Sequence, residues 1–454
     1  MSVRLRFERG TVCAVGPEPI VQNLPHVKWD PRTLEYRWPA YLASQVFADH
    51  VVDRDHPPWP QEPCSGFRTP EVRSYQQAAV SAWFSFGKRG VVALPTGAGK
   101  THVAIAIMAK LQLPTVVLCP TRALLAQWKR AIEAWFDGPV GIVGDGERCI
   151  EKVTVMTFES AYRIMDTIGD QFALLVADEV HHFGAGIRSE ALEMCTAPYR
   201  LGLTATPPAL ESEARTRIDQ RVGPVVCEVG LDDLLGIYLA NLDIIRLNVE
   251  LSATERAIYW PAVREFTSHR QRFFRDRPGA EWRHFIGMLL RSEEGRRIMD
   301  DHLHALRIAS FPNAKRERTL ELLALHRHEK VLVFTANVED AYELSRLALA
   351  PAITAETART ERDEMIDAFR VGRIRTIIAA RVLNEGIDVP DARVAIVVGA
   401  AQGAREMVQR VGRVLRPAPD KRALVYELTT LGTIDDARAR ARRRDLASGF
   451  TALA

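Results

Sequence analysis

Val91-Val92-Ala93-Leu94-Pro95-Thr96-Gly97-Ala98-Gly99-Lys100-Thr101 is the stretch that decides how this chain is read. The apolar run Val91–Leu94 feeds a turn of proline, threonine and glycine, and an apolar helix follows over Val103–Leu111. Strand, glycine-rich turn and helix, in that order, build a phosphate cradle. Glycines let backbone N–H groups turn inward, and the helix N-terminus adds a favourable dipole. Lys100 brings a point charge to the outer phosphates of a nucleoside triphosphate, and the Thr101 hydroxyl is a ligand for Mg²⁺. Pro95, Thr96, Gly97, Ala98, Gly99, Lys100 and Thr101 are therefore the candidate nucleotide-binding residues. The strict motif has glycine at position 94, where this chain has Leu94.

Outward from this loop the same rhythm repeats. Short runs rich in β-branched residues occur at Thr115–Cys119, Val153–Phe158, Leu174–Ala177, Leu201–Thr204, Val331–Phe334, Thr376–Ala379, Val394–Val398 and Ala423–Leu428. Amphipathic segments such as Arg122–Phe136 and Val338–Ala348 lie between them. Buried strands alternating with helices predict an α/β fold with parallel sheets. The rhythm breaks over about 252–310, which is rich in Arg, Glu, His and aromatics and reads as a helical insert. The run His56–Pro63 (HPPWPQEP) reads as a linker because its prolines disfavour regular structure.

At 454 residues the chain exceeds one compact core. The expected division is a small N-terminal domain (1–63), a first α/β domain (64–230), a second carrying the insert (231–436) and a basic tail (437–454). The 47% hydrophobic and 26% charged fractions are those of a globular protein. The net charge of +3 leaves room only for a local basic patch, not for charge-driven binding by the whole surface. Cys13, Cys64, Cys119, Cys149, Cys195 and Cys227 show no metal-ligand spacing and read as reduced, mostly buried thiols. The opening residues MSVRLRFERG hold no signal-like apolar run, so a cytoplasmic, nucleoid-associated location is expected.

Asp178-Glu179-Val180-His181 ends the strand Leu174–Ala177. Beside a phosphate loop, a strand-terminal carboxylate suits metal binding, and the next carboxylate suits activation of water. Asp178 is the candidate Mg²⁺ ligand, with Thr101, and Glu179 the candidate general base.

PTGAGKT, DEVHH, Thr204-Ala205-Thr206 and Gln409–Arg416 (QRVGRVLR) resemble, in order and spacing, the motifs of superfamily-two helicases. The segments ERGT, LPHVKWDPRTLEYRWPAY, RVLNEGIDVPDA and REMVQRVGRVLRP are similar to those of short archaeal and bacterial XPB-type DNA repair helicases. The resemblance implies two RecA-like domains, an N-terminal damage-recognition-like domain and a helical thumb. It also implies 3′-to-5′ movement on DNA, ATP and Mg²⁺ as cofactors, and a separate nuclease as partner. In the VRSYQ segment, Gln76 would read the adenine edge with Arg73 nearby. Gln409, Arg413 and Arg416 would face the nucleotide, and Asp388 would couple it to the DNA track. Thr204 and Thr206 would relay the nucleotide state. Thr121, Arg122, Thr157 and the Thr335 region would touch DNA. Arg270, Arg272, Arg275 and Arg277, interleaved with Phe273 and Phe274, read equally as a grip on a strand and as a helix with an aromatic core face and a solvated basic face. The family's Arg-Glu-Asp triplet after TAT is absent from Pro207–Arg215, so the chain either translocates without efficient unwinding or opens DNA by another wedge; the alternative readings are a duplex DNA translocase of a restriction or phage-defence system, which the missing triplet favours, and an RNA-directed motor.

Overall fold

A computed structural model describes residues 3–47, 53, 57–230, 241–380, 392–399 and 422–441. They fall into two compact units, one reaching residue 230 and one starting at residue 241.

The first unit opens with β1 (Arg4–Glu8), β2 (Thr11–Val15), the short helix α1 (Glu18–Val21), β3 (Lys28–Asp30), β4 (Glu35–Pro39) and α2 (Ala43–Phe47). The strands form an antiparallel sheet in the order β1-β2-β4-β3 over a core that includes Val12, Val21, Trp38 and Val46. None of these strands was anticipated, because runs this short and charged carry little apolar signal. The proline-rich segment has no helix or strand over its described part, yet it is docked. Trp59 packs on Phe47, and Pro58 O accepts a hydrogen bond from Thr196 Oγ1 at 2.7 Å.

There follow α3 (Ser74–Ser85), β5 (Arg89–Ala93), α4 (Lys100–Leu111), β6 (Thr115–Cys119), α5 (Arg122–Glu133), β7 (Val140–Gly144), β8 (Glu147–Cys149), β9 (Val153–Thr157), α6 (Phe158–Ile168), β10 (Leu174–Ala177), α7 (Glu190–Glu193), β11 (Tyr199–Thr204), α8 (Glu213–Arg221) and β12 (Val225–Glu228). The sheet order is β12-β5-β11-β10-β6-β9-β7-β8, parallel except for β8. Its central strands are buried on both faces, which is why they read as unbroken apolar runs. Phe158 belongs to α6 and not to the preceding strand, since Thr157 ends β9 and caps the helix. At the edge opposite the phosphate loop, Arg200 is fully buried. Its guanidinium donates to the carbonyls of Ala197, Leu192, Cys195 and Arg221, so it is satisfied by backbone carbonyls, among them those at the C-terminal ends of α7 and α8. Arg89, beside it, donates to Ser44 Oγ at 3.1 Å, tying the N-terminal sheet unit to the first residue of β5.

The second unit comprises β13 (Asn241–Val249), α9 (Ala253–Asp276), α10 (Trp282–Leu289), α11 (Glu293–Ser310), α12 (Asn313–Leu325), β14 (Val331–Thr335), α13 (Val338–Ala348), β15 (Ala352–Ile353), α14 (Arg359–Arg370), β16 (Thr376–Ala380), β17 (Val394–Val397) and β18 (Arg422–Thr430). All its strand pairs are parallel, in the order β13-β18-β17-β14-β16-β15. The helices α9 to α11 fill the expected insert. Ser252 and Glu255 form a reciprocal cap that starts α9 where the strand rhythm stops. Lys315, fully buried on α12, joins the parts of this unit: its ammonium donates to Ser310 O (3.0 Å), Val398 O (2.6 Å) and Asp435 Oδ2 (2.8 Å). Residues 434–441 are helical, with Asp435 and Asp436 buried, and residues 442–454 of the expected tail lie outside the described residues. Among the described residues no helix is long and apolar enough to cross a membrane.

Candidate active site

In a parallel sheet every strand ends at the same edge, and loops from that edge meet across neighbouring strands. Here β5, β11, β10, β6 and β9 are consecutive neighbours. The phosphate loop, the TAT turn, the DEVH turn, Pro120–Arg122 and Thr157 therefore line up along one edge, over roughly 20 Å at the usual strand spacing.

The loop is built as glycine chemistry requires. Gly97 and Gly99 have φ of 86° and 80°, and a Cβ on Gly99 would lie 2.5 Å from Gln76 Nε2. Position 94 is outside the turn. The Leu94 N–H still pairs with Thr204 O at 3.0 Å, so the backbone there needs no glycine. The loop is braced from α3: Tyr75 Oη and Gln76 Nε2 both donate to Ala98 O, at 2.7 and 2.8 Å, while Gln76 Oε1 accepts from the Arg73 N–H at 2.9 Å. Gln76, expected to read a base, thus spends one N–H on the loop and one lone pair on the start of α3, leaving one N–H and one lone pair. Arg73 is exposed at the start of α3.

Lys100 Nζ stands 3.9 Å from Glu179 Oε1. Glu179 holds a left-handed backbone, φ 46° and ψ 50°, which turns the chain at the end of β10. Asp178 is buried and held from two sides: Oδ1 accepts the Glu179 N–H at 3.0 Å, and Oδ2 accepts the indole N–H of Trp128 at 2.8 Å. Burial, and then the Glu179 carboxylate, push the Asp178 carboxyl up to about 6, against the pull of Lys100 and the Trp128 bond. His181 Nδ1 shares a hydrogen bond with Thr204 Oγ1 at 3.0 Å and lies 3.6 Å from Glu179 Oε2. The same Thr204 oxygen accepts the Thr206 N–H at 3.0 Å. The DEVH and TAT turns are thus one network. Sequence reasoning missed Trp128, Tyr75 and His181 as parts of the site. Helical periodicity shows that Trp128 is buried but not where its N–H points.

Three buried polar atoms around the loop, Thr96 Oγ1, Glu179 Oε2 and Thr206 Oγ1, have no hydrogen-bond partner. Buried polar atoms left open beside an ammonium and two carboxylates fit a triphosphate and a hard cation. The Thr101 hydroxyl and Asp178 offer the oxygen ligands that Mg²⁺ takes.

The nucleic-acid candidates divide. Thr121 caps α5, accepting the Leu124 N–H at 3.2 Å, and Arg122 is exposed, 3.3 Å from Asp145. Thr157 caps α6, accepting the Ser160 N–H at 3.2 Å and donating to Ser160 Oγ at 2.9 Å. These lie at the edge described above. Thr335 does not offer its hydroxyl. It is fully buried and donates to Asn337 O at 2.9 Å, so a phosphate contact there would fall to the turn beyond it. The basic–aromatic interleaving of α9 resolves to the second of its two readings, an aromatic core face with a solvated basic face. Phe273 packs inward with Phe266, Phe285 and Ile298, while Arg270, Arg272, Arg275 and Arg277 face outward, so the aromatics are core and do not grip a strand. Beyond TAT, Arg215 is buried and paired with Asp219 at 2.8 Å. Asp388, Gln409, Arg413 and Arg416 lie outside the described residues.

Comparison with known proteins agrees with this layout. The model described as "Xeroderma pigmentosum group B helicase damage recognition domain" matches residues 5–42, "Type III restriction enzyme, res subunit" matches 69–209, and "Helicase conserved C-terminal domain" matches 314–418. The protein named DNA 3'-5' translocase XPB2 of Sulfurisphaera tokodaii is 37% identical over 376 residues, covering 82% of this chain and 84% of that one. The one named DNA 3'-5' helicase XPB of Mycobacterium tuberculosis is 29% identical over 431 residues, covering 91% and 69%. Among solved structures, the Pyrococcus furiosus Hef helicase domain shares the fold, with a TM-score of 0.54 at 17% identity, covering 84% of this chain and all of that one. With an N-terminal sheet that precedes the phosphate loop in sequence and matches the damage-recognition model, the DEVH turn beside that loop, and a relative 37% identical across most of both chains, the chain belongs to the XPB-type family of superfamily-two helicases.

Proposed function

We propose that this protein hydrolyses ATP to drive 3′-to-5′ movement on DNA, in a repair role of the XPB kind. The observation that carries this is the cluster of Lys100, Glu179 and the open, buried oxygens of Thr96 and Thr206 around a loop of phosphate-binding geometry. Lys100 and the loop N–H groups hold the triphosphate. Glu179, beside Lys100, takes the proton of the water that attacks the γ-phosphorus, and ADP leaves. Thr101 and Asp178 hold Mg²⁺, which when bound neutralises charge on the phosphate oxygens. The His181–Thr204 bond carries the state of the DEVH turn to TAT. Thr121, Arg122 and Thr157 hold the DNA backbone without reading sequence, as a motor that steps on any sequence must. A cytoplasmic location and a separate nuclease that cuts what the motor exposes complete the reading.

A translocase that does not separate strands is the favoured form, since Pro207–Arg215 lacks the triplet and its arginine is buried in an ion pair. The test is ATP turnover with and without forked duplex DNA, for wild type and Glu179→Gln. DNA stimulation that disappears in the variant supports the reading. Turnover that DNA leaves unchanged, or that RNA alone stimulates, refutes it. Triplex displacement without strand displacement marks a pure translocase.

A further inference from the structure

Helix α5 starts at the edge that carries the DNA-contact candidates and continues into the core. Thr121 and Arg122 form its start. About two turns on, Trp128 is buried at 1% exposure, and its indole N–H donates to Asp178 Oδ2 at 2.8 Å. An indole has one donor in one direction, and this ring is packed on all sides. The other Asp178 oxygen takes the Glu179 N–H, so the carboxylate is fixed from two sides in a site where burial denies it solvent.

We infer that Trp128 is the positioning residue through which α5 orients the Asp178 carboxylate, so that a DNA backbone held at the first turn of α5 sets the metal ligand for turnover. The inference rests on the DNA-motor reading above. Buried Leu124, Leu125 and Ile132 anchor α5 along its length, so a shift at its first turn moves Trp128 with it. Were Trp128 only a core filler, phenylalanine would serve as well.

The test is Trp128→Phe in the full chain, which keeps a buried ring and removes the N–H. ATP turnover is measured across a Mg²⁺ titration, with and without duplex DNA. Partners that orient a metal ligand commonly matter by ~10–100-fold. The ratio of DNA-stimulated to basal kcat is expected to fall by roughly tenfold and the half-saturating Mg²⁺ concentration to rise, while KM for ATP and nucleotide-free DNA affinity hold. A ratio and a Mg²⁺ requirement both within about twofold of wild type would overturn the inference. If Trp128→Phe fails to fold, β-(3-benzothienyl)alanine at position 128, with sulfur in place of N–H, gives the same two outcomes. A wild type that DNA does not stimulate sinks the motor reading instead. The Mg²⁺ requirement of basal turnover then decides on Trp128 alone, and an unchanged value overturns its role.

Discussion

Replacing Lys315 by methionine should cost the second unit a large part of its stability. The ammonium is fully buried and donates to Asp435 Oδ2 at 2.8 Å, Val398 O at 2.6 Å and Ser310 O at 3.0 Å. Methionine fills a similar volume, so the cavity effect is small. What remains is Asp435, 6% exposed, whose Oδ2 keeps only the Thr430 N–H at 2.9 Å. Removing one partner of a buried pair costs ~3–5 kcal/mol, chiefly because the other charge is left uncompensated. For a unit of this size that is a drop in melting temperature on the order of 10 °C. Adding Asp435→Asn removes the stranded charge and keeps an acceptor for Thr430, so the double variant should recover about half of the loss. The assay is hydrogen exchange in the full chain across a urea series, read in peptides covering Asn313–Leu325 and Val394–Val397. A single variant that loses under about 1 kcal/mol, or a double variant as unstable as the single, would refute the argument.

Acid should destabilise the second unit. His302 stacks on Phe266 at 3.7 Å with its Nδ1 buried and unpartnered, and burial lowers the pKa of both His302 and His326. The folded state keeps these rings neutral while the unfolded chain protonates below about 6.5, so their contribution holds above that pH and is lost as pH falls through it. Melting curves between about pH 7.5 and 5.5 should show the fall, and His302→Phe should shrink it; an equal fall in that variant would rule the ring out. Thiol labelling of the native protein should strike exposed Cys149 first. Buried Cys119 and Cys195, and Cys13, whose thiol burial pushes up to about 11, should react only on unfolding; mass spectrometry of early adducts checks the order.

The central strands and the insert were legible in the sequence because burial on both faces writes itself as unbroken β-branched runs, and loss of that rhythm marks the helices. The N-terminal sheet and the edge strands β8, β12, β13 and β15 were not, since edge strands are held by pairing and not by composition; β7, interior but with two glycines in five residues, carries too short an apolar run to read. Within the site, Lys100, Asp178 and Glu179 could be read from spacing. Hydrogen-bond direction could not: Gln76 turned out to brace the loop, Thr335 to face inward, and Trp128 to reach the carboxylate. Those outcomes depend on side-chain aim across elements tens of residues apart, which no local pattern encodes.

Glu179 sits in the left-handed region, where a residue with a branched-off Cβ is disfavoured, and its Oε2 is buried without a hydrogen bond. Glycine or asparagine would rest more easily in that backbone, yet neither carries a carboxylate. If Glu179 activates the water as proposed, drift toward a sturdier fold presses this position away from turnover, and selection for hydrolysis holds the glutamate there. On that proposed role, a sturdier form of the protein that holds nucleotide without turning it over lies one codon change or two away.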